Sequence, residues 1–507
     1  MRNVSLLLAF AFVFGVVATL TSYPERARAD NPFEAPQNLD VQTYPKDKVV
    51  SFETTANKSK LFHRDDIDFC QTQTDADVTL TLDAQKRYQT IDGFGAAITG
   101  STAYNLLKMP QDARVALLEE TFSTEKGLGF SYVRVSIGCS DFSLSEFSLC
   151  EEPGLENFAL SQEDLDYVLP VLKEILKINP NLKIIASPWT CPKWMKVNNL
   201  RDLEPFDSWT SGQLNPKYYQ IYAEYFVKYL QAMAAHGVTV NAITMQNEPL
   251  NRGNSASLFM TWQEQKEFVK ALGPAIRDAG IDVEIIAFDH NFNYDSNKPE
   301  CRDQWGYPLH IYEDEQAAQY LTGAAYHAYG GNKEEMKRVR DARPDKGLYF
   351  TEQSIGAWGY SFEGDFIWFM REVGIGVLNY DCKAIIVWNY MLDDKRGPYR
   401  PGGCSMCYGA VNLSTRDYAT VERYSHYYEI AHFSKVFATG AQRIHIEQSA
   451  AQQGLYSCAC VNPDGSYAMV LLNEQDSPVT VRVKRGEECF TVPLQGKSAR
   501  SLYWQAQ

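Results

Sequence analysis

From Ile91 to about Asn389 the chain alternates short apolar runs with amphipathic segments of helical period, and it does so eight times. Strands that alternate with helices pair in parallel, and eight such units close into a barrel. The strands begin with Asp92-Gly93-Phe94-Gly95 and Tyr132-Val133-Arg134-Val135 and continue with Leu182 to Ala186. Ala242-Ile243, Val283 to Phe288, Ala324 to His327, Gly347 to Phe350 and Ala384 to Trp388 complete the set. The segment from Pro216 to His236 shows the helical pattern well. Tyr218, Tyr222, Tyr225, Phe226, Tyr229 and Met233 recur every three or four residues, with Pro216 in the first turn and Gly237 at the stop. In Leu165 to Ile178 an internal Pro170 predicts a kink or a later start. An open doubly wound sheet is the alternative, but its glycine-rich phosphate loop is missing.

The flanks read differently. Residues 30–90 carry strand alternation, as in Val78-Thr79-Leu80-Thr81-Leu82. Residues 431–507 return to it, with Asn462-Pro463-Asp464-Gly465 as a turn. The expected organisation is therefore α/β: a (β/α)8 TIM barrel over 91–430 with an antiparallel β-sandwich side domain over 431–507. The 30–90 strands join that side domain. Residues 1–29 read as a signal peptide: Arg2, an uncharged run from Val4 to Leu20, and Ala27-Arg28-Ala29 as the cleavage site. The mature chain would begin at Asp30 and be exported, to the periplasm or beyond the cell. No other stretch is apolar enough to span a bilayer, so no stable membrane association is expected. The net charge of −15 argues against nucleic acid as a partner.

The eleven cysteines cannot all pair among themselves. Cys404 and Cys407 have C-x-x-C spacing, and Cys458 and Cys460 flank one alanine. With eight histidines in the chain and no matching second pair, a loop disulfide or free thiols fit better than zinc.

Two glutamates follow barrel strands, Glu248 in Met245-Gln246-Asn247-Glu248-Pro249 and Glu352 in Thr351-Glu352-Gln353. Barrel enzymes place catalytic groups at the carboxyl ends of strands. Two carboxyls facing across a pocket meet the requirement for glycoside hydrolysis through a covalent intermediate. Glu248 reads as acid/base, with the Asn247 amide set to bind the sugar 2-hydroxyl. Glu352 reads as nucleophile, and needs donors that keep it ionised. Arg134 and Tyr329 are the candidates, although Arg134 also suits a structural ion pair. His327 lies two residues before Tyr329, which places both on one side of a strand. His327 is pocket-lining or a satisfied core histidine. Trp189 and Trp388, both at strand ends, are walls of a first sugar subsite or barrel packing. This chemistry uses no metal or organic cofactor.

I-D-G-F-G-A-A-I-T at 91–99, S-P-W-T-C-P-K-W-M-K at 187–196, M-Q-N-E-P at 245–249, Y-H-A-Y at 326–329, T-E-Q-S at 351–354 and V-W-N-Y at 387–390 occur in order. With H-F-S-K at 432–435, they make the chain resemble glycoside hydrolase family 30, the glucosylceramidases and microbial β-1,6-glucanases. The resemblance implies acid/base Glu248 and nucleophile Glu352. It also implies a first subsite lined by Asn247, Arg134, Trp189, His327, Tyr329 and Trp388. Two positions depart from the family pattern. Gly100 stands where many glucose-acting members carry aspartate, and Tyr399 where a loop asparagine is common. These departures point to a more open cleft or another sugar. The expected activity is retaining hydrolysis of a β-glucan oligo- or polysaccharide, with β-1,6-linked glucan first. The alternatives are a glucosylceramidase-like or other exo-β-glycosidase (fucosidase, xylosidase), or a non-catalytic carbohydrate-binding barrel.

Overall fold

The computed structural model describes residues 36, 38–70, 75–292 and 301–506. The signal-peptide reading of residues 1–29 lies outside them. Among the described residues no helix is long and apolar enough to cross a membrane.

Eight parallel strands form one sheet: β1 (Gly93–Ala96), β2 (Tyr132–Ile137), β3 (Lys183–Pro188), β4 (Ala242–Thr244), β5 (Glu284–Asn291), β6 (Gly323–His327), β7 (Gly347–Glu352) and β8 (Cys382–Val387). Their order is β1-β8-β7-β6-β5-β4-β3-β2. The free edges meet: Ser131 N–H donates to Phe94 O at 2.9 Å, and Ile98 N–H to Arg134 O at 2.8 Å. Gly95 permits this closure, because a Cβ there would lie 1.9 Å from the Tyr132 carbonyl oxygen.

The helices follow the sequence with local adjustments. Tyr219–Ala235 is preceded by a 3-10 turn at Pro216–Tyr218 and buries Tyr222, Tyr225, Phe226, Tyr229 and Met233. Trp262–Asp278 starts at a reciprocal cap between Thr261 and Glu264. The expected irregularity at Pro170 is a wide π-type turn, Asp164–Val168, leading into Leu169–Ile178. Proline has no N–H to donate to the preceding turn, and the backbone widens there.

The side domain is built from both chain ends. Lys48–Thr55 pairs antiparallel with Ser498–Trp504. Val78–Thr90 lies between Gln442–Gln448, antiparallel, and Val479–Arg485, parallel. This one parallel pairing sits in a sheet that is otherwise antiparallel, as expected. Val78–Thr90 comes from the far end of the chain, so no hairpin fixes its direction. Its Val78, Leu80 and Leu82 enter a core with Val481, Val483, Phe490 and Trp504. The helix Ser425–Ser434 joins the two parts, with Phe433 stacked on Phe94 of β1.

Candidate active site

The carboxyl ends of the barrel strands surround a cavity of about 720 Å³. Glu352 is the last residue of β7. Glu248 lies four residues past β4 in a turn, at φ +44°. Its N–H donates to Asp289 O at 2.9 Å, and Asn247 N–H donates to Pro188 O at 2.8 Å, so β5 and β3 hold the turn in place. This left-handed backbone costs about 1–3 kcal/mol. One oxygen of each glutamate and one nitrogen of His327 lie within 4.8 Å of one another.

Behind the pair is a buried network. Arg134 Nη1 donates to Glu352 Oε2 at 2.6 Å, and Nη2 to Asn247 Oδ1 at 2.7 Å and Asp289 Oδ2 at 2.8 Å. Its guanidinium carbon lies 4.8 Å from the centroid of the Trp189 ring and 5.6 Å from that of Trp388, and the two indoles stack at 5.1 Å. The Tyr329 hydroxyl donates to Glu352 Oε1 at 3.0 Å. Asn251 and Asn254 amides donate to Glu248 Oε2 at 2.7 and 3.1 Å. His327 links the groups, with Nδ1 3.4 Å from Glu248 Oε1 and Nε2 3.0 Å from Asp289 Oδ1. Of the sites named from sequence, Glu248, Glu352, Tyr329 and Trp388 line the cavity.

Arg134 and His327 have no exposed surface, and Asn247 and Trp189 keep 3% and 1%. None of the four is among the lining residues, and Arg134 acts on the site through its bonds to Glu352 and Asn247. A buried guanidinium must satisfy its donors inward, and Glu352, Asn247 and Asp289 are its acceptors. Tyr329 also lies beyond the end of β6 rather than on it, with its ring exposed and its hydroxyl turned inward.

Asp289 and Asp141 are two residues of the site that the sequence reading missed. Asp289 accepts from Arg134, His327, Ser187, Thr244 and Thr351. Arg134 and His327 hold it far below the usual carboxylate range, against the effect of burial. Asp141, on the loop after β2, also lines the cavity. It is 6% exposed and its Oδ1 has no hydrogen-bond partner. Burial, with Glu352 and Glu248 nearby, pushes it up to about 8.

Gly100 does not open the cleft. A Cβ there would lie 1.7 Å from Glu163 Oε1, so a carboxylate from elsewhere fills that space. Glu163 accepts from Leu144 N–H at 2.8 Å and so braces the loop that carries Asp141. Tyr399 is exposed and is not among the lining residues. Cys404 and Cys407 form a disulfide at the cavity rim.

Burial would lower His327, but Glu352, Asp289 and Glu248 raise it to about 9. Two cations, Arg134 and His327, then face three carboxylates, and neutrality asks for one proton on the glutamate pair. Burial works against charge at both carboxyls, opposed by His327 and Arg134 at Glu352 and by His327 and His290 at Glu248. The pair titrates as a unit, and fixed charge separates the two sites. Glu352 has the permanent charge of Arg134 at 2.6 Å, whereas the donors on Glu248 Oε2 are neutral amides. We place the proton on Glu248. The Glu248–His327–Glu352 cluster is also tight enough to hold a cation, but each carboxylate oxygen already faces Arg134, Tyr329, His327 or an asparagine amide.

Residues 91–437 match the glycosyl hydrolase family 30 TIM-barrel domain, and 440–502 match the glycosyl hydrolase family 30 beta sandwich domain. An endo-1,6-beta-D-glucanase of Neurospora crassa is 32% identical over 80% of this chain and 84% of its own. The lysosomal acid glucosylceramidase of Mus musculus is 27% identical over 86% and 85%. The solved structure of an endo-beta1,6-glucanase superimposes with a TM-score of 0.88 at 52% identity, covering 91% of this chain and all of that one.

Proposed function

Since the chain belongs to glycosyl hydrolase family 30 and is a glycoside hydrolase, we propose that it is a retaining endo-β-1,6-glucanase that acts after export. One observation carries the retaining reading: an oxygen of Glu248 and an oxygen of Glu352 lie within 4.8 Å of each other, too near to seat a water between the carboxyls, with a fixed guanidinium on one of them. Retaining pairs stand roughly 5–5.5 Å apart, whereas inverting pairs need roughly 6.5–9.5 Å to seat a water.

Glu352, kept ionised by Arg134 and Tyr329, attacks the anomeric carbon. Glu248 gives its proton to the leaving oxygen, and the glucosyl group is left bonded to Glu352. Glu248, now a base, takes a proton from water, which attacks the same carbon and frees the sugar with net retention. Arg134 fixes Asn247 beside Glu248, where its amide N–H can reach the 2-hydroxyl of the reacting ring, and the spare Asp141 oxygen accepts from an outer hydroxyl. Trp388 presents its ring to the sugar at the cavity wall.

The linkage rests on likeness: the neighbour at 52% identity is an endo-beta1,6-glucanase. A glucosylceramidase-like activity is the second reading, supported by the 27% identity to the Mus musculus enzyme. Incubation with β-1,6-glucan and sizing of the products over time separates the two. We expect a ladder of short oligosaccharides. An inert polymer with glucosylceramide cleaved would reverse the order of the readings.

A further inference from the structure

We propose that Trp358 is the platform of a leaving-group subsite, on which the first glucosyl unit beyond the scissile bond stacks; this rests on the β-1,6-glucanase reading. The lining of the cavity differs in exposure from one part to another. Toward β8 and β2 it ends on buried Trp388 and Asp141. Toward β6 and β7 its rim carries two exposed rings, Tyr329 at 42% and Trp358 at 51%. The buried floor suits the ring that reacts, and the exposed rings at the rim suit a glucosyl unit beyond the scissile bond.

Trp358 is held in place rather than trailing in solvent. The strand Ile355–Gly356, just after β7, pairs antiparallel with Cys407–Tyr408 from the loop after β8. Ala357 N–H donates to Met406 O at 2.8 Å, and the Cys404–Cys407 disulfide ties the tip of that loop. The indole lies against the Gly356 backbone. A Cβ at Gly356 would lie 2.2 Å from the ring and 2.4 Å from the Met406 carbonyl oxygen. A half-exposed indole on a braced bed, inside the catalytic cavity, offers the flat apolar face that the C–H side of a pyranose takes. A 1,6 linkage has an extra rotatable bond at C6, and the leaving ring can turn from the catalytic plane toward the rim.

The test compares two substrates in wild type, Trp358→Ala and Trp358→Phe: β-1,6-glucan, and β-glucosyl fluoride, whose leaving group has no ring. The ratio of kcat/KM for glucan over fluoride should fall about tenfold in Trp358→Ala, the loss of one stacking contact. Trp358→Phe should recover most of it. An unchanged ratio overturns the proposal, whether both substrates fall together or neither falls. If the wild type turns over the fluoride but leaves β-1,6-glucan intact, the substrate reading alone fails. The platform is then judged by glucosyl transfer from the fluoride to added gentiobiose: a lower transfer-to-hydrolysis ratio in Trp358→Ala supports it, and an equal ratio overturns it.

Discussion

At the scale of single residues, the centre is set by one permanent charge and the groups that must answer it. Arg134 has no exposed surface, and Glu352, Asn247 and Asp289 neutralise or satisfy it. Removing one partner of a buried charge costs about 3–5 kcal/mol, which ties the folding of the barrel mouth to the chemistry. Asp141 departs from this rule as a buried carboxyl with an oxygen left over. Its value is about 8 in the folded chain against 3.8 ordinarily. A raised carboxyl binds its proton more tightly when folded. Its stabilising effect is therefore full below about pH 4 and is lost as pH rises toward about 8. Asp141→Asn should flatten the fall in stability between those limits, as read from urea midpoints across the range. A variant with the wild-type slope would show that Asp141 is not the group responsible. Glu248 and Glu352 were legible from sequence because a charged residue after an apolar barrel strand has few structural uses. Asp141 was not, since nothing in Cys139-Ser140-Asp141-Phe142 marks a loop aspartate as aimed at a cavity.

At the scale of elements, eight strands could be counted because each is an apolar run bounded by helical pattern. Their irregularities could not. Phe288 and Asp289 have φ +70° and +74°, and the pairing of β5 with β6 shifts between Phe288 and His290. In a regular strand neighbouring side chains point to opposite faces. At this bulge Asp289 bonds Arg134 and His327 while the next residue, His290, lines the cavity, so both turn toward the site and alternation fails there. The same limit hid the position of Tyr329, which counts as a strand residue only if β6 runs two residues further. Closure of β1 on β2 depends on the missing side chain at Gly95. Gly95→Ala would drive a methyl group into the Tyr132 carbonyl, and overpacking of this kind costs about 1–3 kcal/mol or more. Thermal unfolding should show a clearly lowered midpoint. An unchanged midpoint would mean that the two strands can part without cost.

At the scale of the whole molecule, the two ends of the chain complete one side domain beside the barrel. Lys48–Thr55 and Val78–Thr90 enter the same sheet as the C-terminal strands. Arg443 of that sheet pairs with Asp381 just before β8, and Glu474, just past one of the sheet's strands, pairs with Arg371 of the barrel, so barrel and sandwich share charged contacts. The alternating pattern of both ends made the domain legible, whereas the parallel pairing within it, set by distant partners, had no local signal. All of this architecture holds one oxygen of each glutamate within 4.8 Å of the other and fixes the charge on one of the pair. That spacing predicts double displacement, and the most direct test is the anomeric configuration of the first product. Proton NMR of fresh β-1,6-glucan digests, taken before mutarotation, should show the β-anomer at the newly formed reducing end. The α-anomer appearing first would mean inversion, and would contradict the assignment of Glu352 as nucleophile.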